Sequence, residues 1–464
     1  MHCYGKAFRD QVRAFRGDFR VAPGAVVRPE TEEDVGAVLA WAEREGAAVI
    51  PFGGGTSVVG GVEGGGGRPT VSLDLERMDR VLEVDAVSRS ARIQAGVRGP
   101  ALERQLAAHR MTLRHYPQSF EFSTLGGWIA TRAGGHFATL YTHIDELVQG
   151  LRVVTPRGVL ATPRLPASGA GPSPDRLLLG SEGVLGVITE AWMRVQPRPR
   201  YRASASVQFP DFHRGVEGAR AVAQSLLYPS NCRLLDPLEA LMNGVSAGDT
   251  VLLLGFESAD HSPELKLRRA IELAEEQGGT LLRPPTVRDD GPEAQERGGD
   301  RTAEAWRQAF FDGPYRQSAL ISLGVLADTF ETCCTWSAFP ALHEVLQETA
   351  RQSFARLGAQ GRLSCRFTHV YPDGPAPYYT FLAAGFSADL LDAWALVKEA
   401  MSDTLRAHGA TITHHHAVGK FHRTWYDRER PELFAAALRG AKGALDPAWV
   451  LNPGVLIDAE KGGR

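Results

Sequence analysis

The chain has 464 residues, 43% hydrophobic and 23% charged, with a formal net charge of −3. That length allows two or three domains with cores of their own, and with a near-neutral balance nothing global points to nucleic acid or a membrane surface. No run approaches the roughly 20 apolar residues that span a bilayer. The five cysteines are an odd number without a C-x-x-C pair, and Met1-His2-Cys3-Tyr4-Gly5-Lys6 has no apolar signal core, so reducing cytoplasm is the expected compartment.

In chain order, Thr31 to Gly46 predicts an amphipathic helix: Thr31 caps it, Glu32, Glu33 and Asp34 fill the first turn, and Val35, Val38 and Leu39 face inward. A short buried strand, Ala47 to Pro51, precedes a glycine run. Thr70 to Leu75 and Val81 to Val97 alternate like strands. Pro100 to His109 and Leu125 to Thr131 read as helices, and Leu147 to Thr162 as a hairpin turning at Pro156-Arg157-Gly158. Pro163 to Asp175 is a loop by composition. Pro197-Arg198-Pro199-Arg200 marks a boundary, after which strands and helices alternate as in an α+β sheet. The vicinal Cys333 and Cys334 are expected on a helix, and Val287 to Arg301, polar and Gly-containing, as a mobile surface loop. Helices and a closing loop, Leu451-Asn452-Pro453-Gly454, are expected after His414.

Four segments carry chemistry. Pro51-Phe52-Gly53-Gly54-Gly55-Thr56-Ser57 places three glycines after a strand, where the backbone can approach a ligand and its N–H groups can converge on an anion; a flexible turn has the same composition. It is neither G-x-G-x-x-G nor a P-loop with its Lys, which disfavours nicotinamide and ATP. Tyr116 is followed by Pro117-Gln118-Ser119-Phe120-Glu121-Phe122-Ser123 and a helix start, then Thr131-Arg132-Ala133-Gly134, so that a helix N-terminus could face phosphate. Gly180-Ser181-Glu182-Gly183-Val184-Leu185-Gly186-Val187-Ile188 sets glycines among apolar residues, suiting a flat ring or a structural turn. Thr413-His414-His415-His416-Ala417-Val418-Gly419 holds three imidazoles, natural proton carriers near neutral pH. On one strand they would point to opposite faces, which fits a single metal ion poorly; no metal site is expected.

Together and in this order, the first three segments resemble the FAD domain of the vanillyl-alcohol-oxidase superfamily. The expected fold is α+β: a two-subdomain, PCMH-type FAD-binding domain over residues 1–198, a cap or substrate domain over 199–412, and a segment 413–464 completing the active site. The resemblance implies that the first two segments hold the FAD pyrophosphate and the third runs along the flavin. Pro51 to Ser57 contains no His, so non-covalent FAD is expected.

The fourth segment, with Cys232-Arg233-Leu234-Leu235-Asp236, Phe330-Glu331-Thr332 before Trp336, and Ser364-Cys365-Arg366-Phe367-Thr368-His369-Val370-Tyr371 leading to Gly374 and Tyr378, is similar to the alkyldihydroxyacetonephosphate (alkylglycerone-phosphate) synthase family. That resemblance implies an ether-lipid transferase: the acyl chain of an acyl-dihydroxyacetone phosphate is exchanged for a fatty alcohol through an adduct at flavin N5, with no net redox change. It implies that His414, His415 and His416 are needed for activity, that Tyr378 is an acid/base, that Arg233 serves catalysis and that Arg366 binds the substrate phosphate. It leaves room for peripheral membrane contact and for a homodimer. Eukaryotic members carry an N-terminal extension with a peroxisomal address, which is not expected here.

The chain departs from the family at Gln317-Ser318, at Tyr141-Thr142-His143 and at Phe421-His422. The alternative is an FAD-linked oxidoreductase of a 2-hydroxy acid of the glycolate or D-lactate type. Those relatives carry G-H-x-G-D-G-N-x-H, of which Thr368 to Gly374 keeps only His369, Asp373 and Gly374. A flavin binder without turnover is a third reading, opposed by the intact His414 to His416 and Tyr378.

Overall fold

The computed structural model describes residues 2–64, 67–137, 139, 142–290 and 301–458. It divides into two compact units: Met1–Gly134, His143–Gln196 and His415–Arg464 form the first, Gly135–Thr142 and Pro197–His414 the second. One division between the units falls between Gln196 and Pro197. The short excursion Gly135–Thr142, which the sequence boundaries assign to the flavin domain, groups with the second unit.

The first unit contains two sheets. Three parallel strands run in the order Ala25–Val27, Thr70–Asp74, Ala48–Phe52. Five antiparallel strands run Val81–Asp85, Ser90–Gln94, Val187–Arg194, Val148–Thr155, Gly158–Ala161. The helix Glu32–Glu45 forms for the reasons its sequence gives. The Thr31 hydroxyl accepts from Asp34 N while the Asp34 carboxylate accepts from Thr31 N, Gly46 ends the helix at φ 66°, and Val35, Leu39 and Ala42 are buried. The C-terminal stretch belongs to this unit through its closing loop: Leu451 bridges Val49 in parallel, and Asn452 N donates to Val49 O.

The second unit is built on one antiparallel sheet of eight strands. Its path is Thr280–Leu281, Tyr201–Phe209, Thr250–Ser258, Asn231–Leu235, Gln360–Val370, Pro375–Ala384, Leu326–Glu331, and Thr286–Asp289 also pairs with Tyr201–Phe209. This corrects the expectation of a loop from Val287: Val287 to Asp289 are sheet residues because they extend a strand edge that the Thr280–Leu281 pairing leaves open. Residues 291–300 lie outside the described ones, and Arg301 already opens the helix Arg301–Ser322. Cys333 and Cys334 are not helical either. They lie in the irregular stretch after the strand Leu326–Glu331, and the next helix begins only at Phe339 with Pro340 in its first turn. Among the described residues, no helix is long and apolar enough to cross a membrane.

Candidate functional site

In the first unit the predicted segments converge. Pro51 and Phe52 end the strand Ala48–Phe52, and the chain then turns through Gly53–Ser57. A Cβ on Gly53 would collide with the Thr124 side chain, one on Gly54 with the Phe122 carbonyl, and one on Gly183 with the Pro51 ring. These glycines therefore let three loops of the protein meet. Ligand space alone, the reason read from the sequence, does not account for them. No protein acceptor among the described residues takes the backbone N–H groups of Gly53, Gly54, Gly55 and Thr56, or the Thr56 hydroxyl. Four adjacent donors on a half-buried loop form a cradle suited to a pyrophosphate.

The helix Leu125–Thr131 corrects a second expectation. Its leading N–H groups are already used: Leu125 N donates to Val97 O, Gly126 N to Ala95 O and Gly127 N to the Thr124 hydroxyl. Its N-terminus is spent on the protein. Pro117 to Ser123 form a tight turn, with Phe120 N on Pro117 O and both Phe122 N and Ser123 N on Ser119 O. The Phe120 ring stacks on Trp128, whose indole N–H donates to the Ser123 hydroxyl at 2.7 Å. The hydroxyl of Ser119 has no partner among the described residues. Thr131 turns its hydroxyl back to Gly127 O, Arg132 (φ 51°) pairs with Asp145 at 2.7 Å, and Ala133 N donates to Trp128 O. Gly134 bridges His143.

The third segment lies against the second. Gly180 N donates to Ile129 O and Glu182 N to Ala130 O. Val184, Leu185, Val187 and Ile188 are buried, the last two on the central strand of the five-stranded sheet, where Gly186 makes room for Val153. Glu182, expected beside the cofactor, spends its carboxylate on the protein: Oε1 accepts from Val418 N at 2.9 Å and Oε2 from Gly419 N at 2.8 Å. Burial pushes its pKa up to about 7, while those two N–H groups pull it back. Its backbone is left-handed at φ 48°, a conformation costing a non-glycine residue about 1 kcal/mol.

The sequence reading missed the groups that tie these loops. The Asn452 amide donates to Glu182 O at 2.6 Å and Gly61 O at 3.1 Å. The buried Lys442 ammonium bonds Val184 O, Leu451 O and the Asp446 carboxylate. A polar residue inside the apolar closing run Val450-Leu451-Asn452 is the one signal that could have found Asn452.

The His triplet is not a strand, so the strand-alternation argument does not apply; its backbone bends. The unit boundary falls inside it. His415 and His416 belong to the first unit and their rings meet edge to face, 4.7 Å between centroids. His414 belongs to the second, where its Nε2 meets the Tyr371 hydroxyl at 2.7 Å and its N–H donates to Glu331.

In the second unit, strand register assembles the rest. Arg366 lies directly opposite Tyr378 and opposite Leu235, two residues from Arg233, so these three side chains singled out in the sequence share one face. The Arg366 guanidinium lies 3.9 Å from the Tyr378 ring centre, and Arg366 and Arg233 lie 5.5 and 5.6 Å from the Trp306 ring. Glu239, also missed in the sequence, accepts from Arg366 Nη1 at 3.0 Å and from the Ser364 hydroxyl at 2.7 Å. Asp236 caps the Glu239 helix by accepting from Glu239 N and holds Cys365 N with its other oxygen. Burial, with Arg366 nearby, lowers the Arg233 pKa to about 9. Burial works against the Arg366 charge too, yet Glu239 leaves its pKa raised. Burial also raises the pKa of the Tyr378 phenol against the pull of Arg366, and the phenol donates to the Thr329 hydroxyl at 3.0 Å.

Of the departures from the family pattern, Gln317 bonds Ala327 O, Phe421 packs over Gly60, the buried His422 bonds Ala417 O, and Tyr141 lies outside the described residues.

Residues 23–162 match the family model described as FAD binding domain, and residues 198–456 the one described as FAD linked oxidases, C-terminal domain. An alkyldihydroxyacetonephosphate synthase from Dictyostelium discoideum is 30% identical over 99% of this chain and 77% of its own length. One from Trypanosoma brucei brucei is 29% identical over 98% and 76%. A solved alkyldihydroxyacetonephosphate synthase structure superposes with a TM-score of 0.79 at 27% identity, covering 97% of this chain and 80% of that one.

Proposed function

The chain belongs to the alkyldihydroxyacetonephosphate synthase family of FAD-linked oxidases and is an FAD-dependent enzyme, and from that premise we propose that it exchanges the acyl chain of an acyl-dihydroxyacetone phosphate for a long-chain alcohol. The observation that carries this reading is the cluster of two buried guanidiniums, Arg233 and Arg366, with the Tyr378 phenol against one of them. Two cations and a proton donor on one sheet face suit a phosphorylated ketone. Glycolate or D-lactate offers a single carboxylate to them.

In this proposal FAD is held without a covalent bond, its pyrophosphate on the Gly53–Thr56 amides. When bound, the flavin supplies a centre that takes up an electron pair and returns it, so the exchange is redox-neutral. This chain's own groups do the remainder. His415 and His416 carry the proton released beside the substrate carbonyl. Tyr378 donates and accepts a proton at its phenol oxygen. Arg366 holds the phosphate, and Glu239 holds Arg366. The acyl chain departs as a carboxylate and the alcohol oxygen takes its place on carbon.

The test is the flavin absorbance of the holoenzyme under argon. Acyl-dihydroxyacetone phosphate is expected to bleach it, and a long-chain alcohol then to restore it with no electron acceptor present. Stable bleaching by glycolate or D-lactate, with no response to the phosphorylated ester, would replace this reading with 2-hydroxy-acid oxidation.

A further inference from the structure

Glu182 stands out because every polar atom it offers is bonded to the protein itself. Its N–H donates to Ala130 O, its carbonyl accepts from Asn452, and its carboxylate oxygens each take one backbone N–H, from Val418 and from Gly419. It sits between Gly180 at φ 75° and Gly183 at φ 78°, yet is itself a non-glycine residue at φ 48°. A glycine would relieve that backbone, so the side chain has a use worth the strain.

Val418 and Gly419 follow directly on His415 and His416. The same loop is pinned at two further points: Ala417 O bonds the buried His422 ring at 2.9 Å, and Lys420 N and Phe421 N both donate to Val59 O. Between those points, Val418 N and Gly419 N donate to Glu182, and Val418 O accepts from His422 N within the loop itself.

We propose that Glu182 is the positioning residue of the histidine loop, a two-oxygen acceptor that fixes where His415 and His416 are held, and not a ligand of the cofactor. This rests on the reading of those imidazoles as proton carriers. The geometry demands a carboxylate. Glutamine offers one acceptor and one amide donor, and that donor would face an N–H group. Aspartate keeps two acceptors on a shorter arm.

The test compares Glu182→Gln and Glu182→Asp holoenzymes. Both are expected to keep wild-type FAD content, measured after gel filtration. Amide hydrogen exchange in the peptide spanning residues 415–420 is expected to speed up about tenfold or more in Glu182→Gln, the scale for losing one buried hydrogen bond to a charged group, and less in Glu182→Asp. The flavin-bleaching rate with acyl-dihydroxyacetone phosphate should fall in the same order, and Glu182→Gln with His415→Ala should be no slower than His415→Ala alone. Loss of FAD from either variant, unchanged exchange, Asp no better than Gln, or a multiplicative double variant would each overturn the proposal. Should Glu182→Gln fail to fold, Glu182→Asp against wild type decides by the same exchange and FAD measurements. A wild-type enzyme that is not bleached by the ester would refute the proposed reaction and leave the exchange result to judge Glu182.

Discussion

The first unit presents main chain and the second presents side chains. Around Gly53–Thr56 the available groups are backbone N–H donors, brought close because Gly53, Gly54 and Gly183 lack a Cβ. Around Arg366 they are long polar side chains, removed from water and held by one another: Arg366 on Glu239 and over Tyr378, Glu239 on Ser364. A site of the first kind tolerates no added atom but has little charge to lose. A site of the second kind tolerates changes of shape better than the loss of a partner, since one group of a buried ion pair left alone costs about 3–5 kcal/mol.

The sharpest break in that comparison is Gly54→Val. The added Cβ meets the Phe122 carbonyl, so the protein is expected to emerge colourless. Because the clash is with its own backbone, its unfolding free energy should also fall, by about 1–3 kcal/mol. Absorbance near the flavin bands and a denaturant titration check both; a yellow variant of normal stability would show that the loop has slack.

Tyr378→Phe and His415→Ala should keep FAD and lose turnover by roughly two orders of magnitude or more, read from single-turnover flavin bleaching. Turnover close to wild type in both would remove them from the proposed chemistry.

Arg366→Ala leaves Glu239 buried without its cation, so part of its effect is a stability loss of about 3–5 kcal/mol. Arg366→Met with Glu239→Gln removes both charges and should recover most of that loss. The KM for a phosphorylated substrate is expected to stay raised by about tenfold or more, the scale of a lost charge-assisted bond. A phosphate-free analogue weakened equally would show that Arg366 does not read the phosphate.

The last effect is a pH dependence that the two units share, since burial raises the pKa of Asp10 in the first and of Asp236 in the second to about 7. Burial, with Glu63 nearby, raises the Asp10 pKa to about 7 in the first unit, against about 3.9 in an unfolded chain. The folded protein keeps this proton where the unfolded chain has released it. Asp10's contribution is therefore full below about pH 4 and is lost as pH rises through about 7, by at most ~1.4 kcal/mol per pH unit. Asp10→Asn should lessen the slope of the stability profile between those limits in urea titrations and leave the share of Asp236; an unchanged slope would assign it to other groups.

Local rules made part of this protein legible in the sequence. Thr31 with Asp34 and Gly46 marked a helix because caps are short-range hydrogen bonds. The hairpin around Pro156–Gly158 and the helix Leu125–Thr131 followed from turn chemistry and periodicity in the same way. The glycine loop could be read as an anion cradle because φ freedom belongs to the residue itself.

What the sequence could not supply were the partners reached across tens or hundreds of residues. Glu239 meets Arg366 127 positions away, and Glu182 meets Val418 236 positions away. The helix start after Thr124 looked open to phosphate until Val97 O and Ala95 O took its donors. Cys333 and Cys334 looked helical because small residues carry little pattern, and three adjacent histidines looked like one unit although the fold divides them between two. Residue type and neighbours decided which groups this protein could offer. Only sheet register and loop packing decided which of them are spent on holding the fold, because burial obliges each polar group to find a partner wherever the tertiary structure brings one.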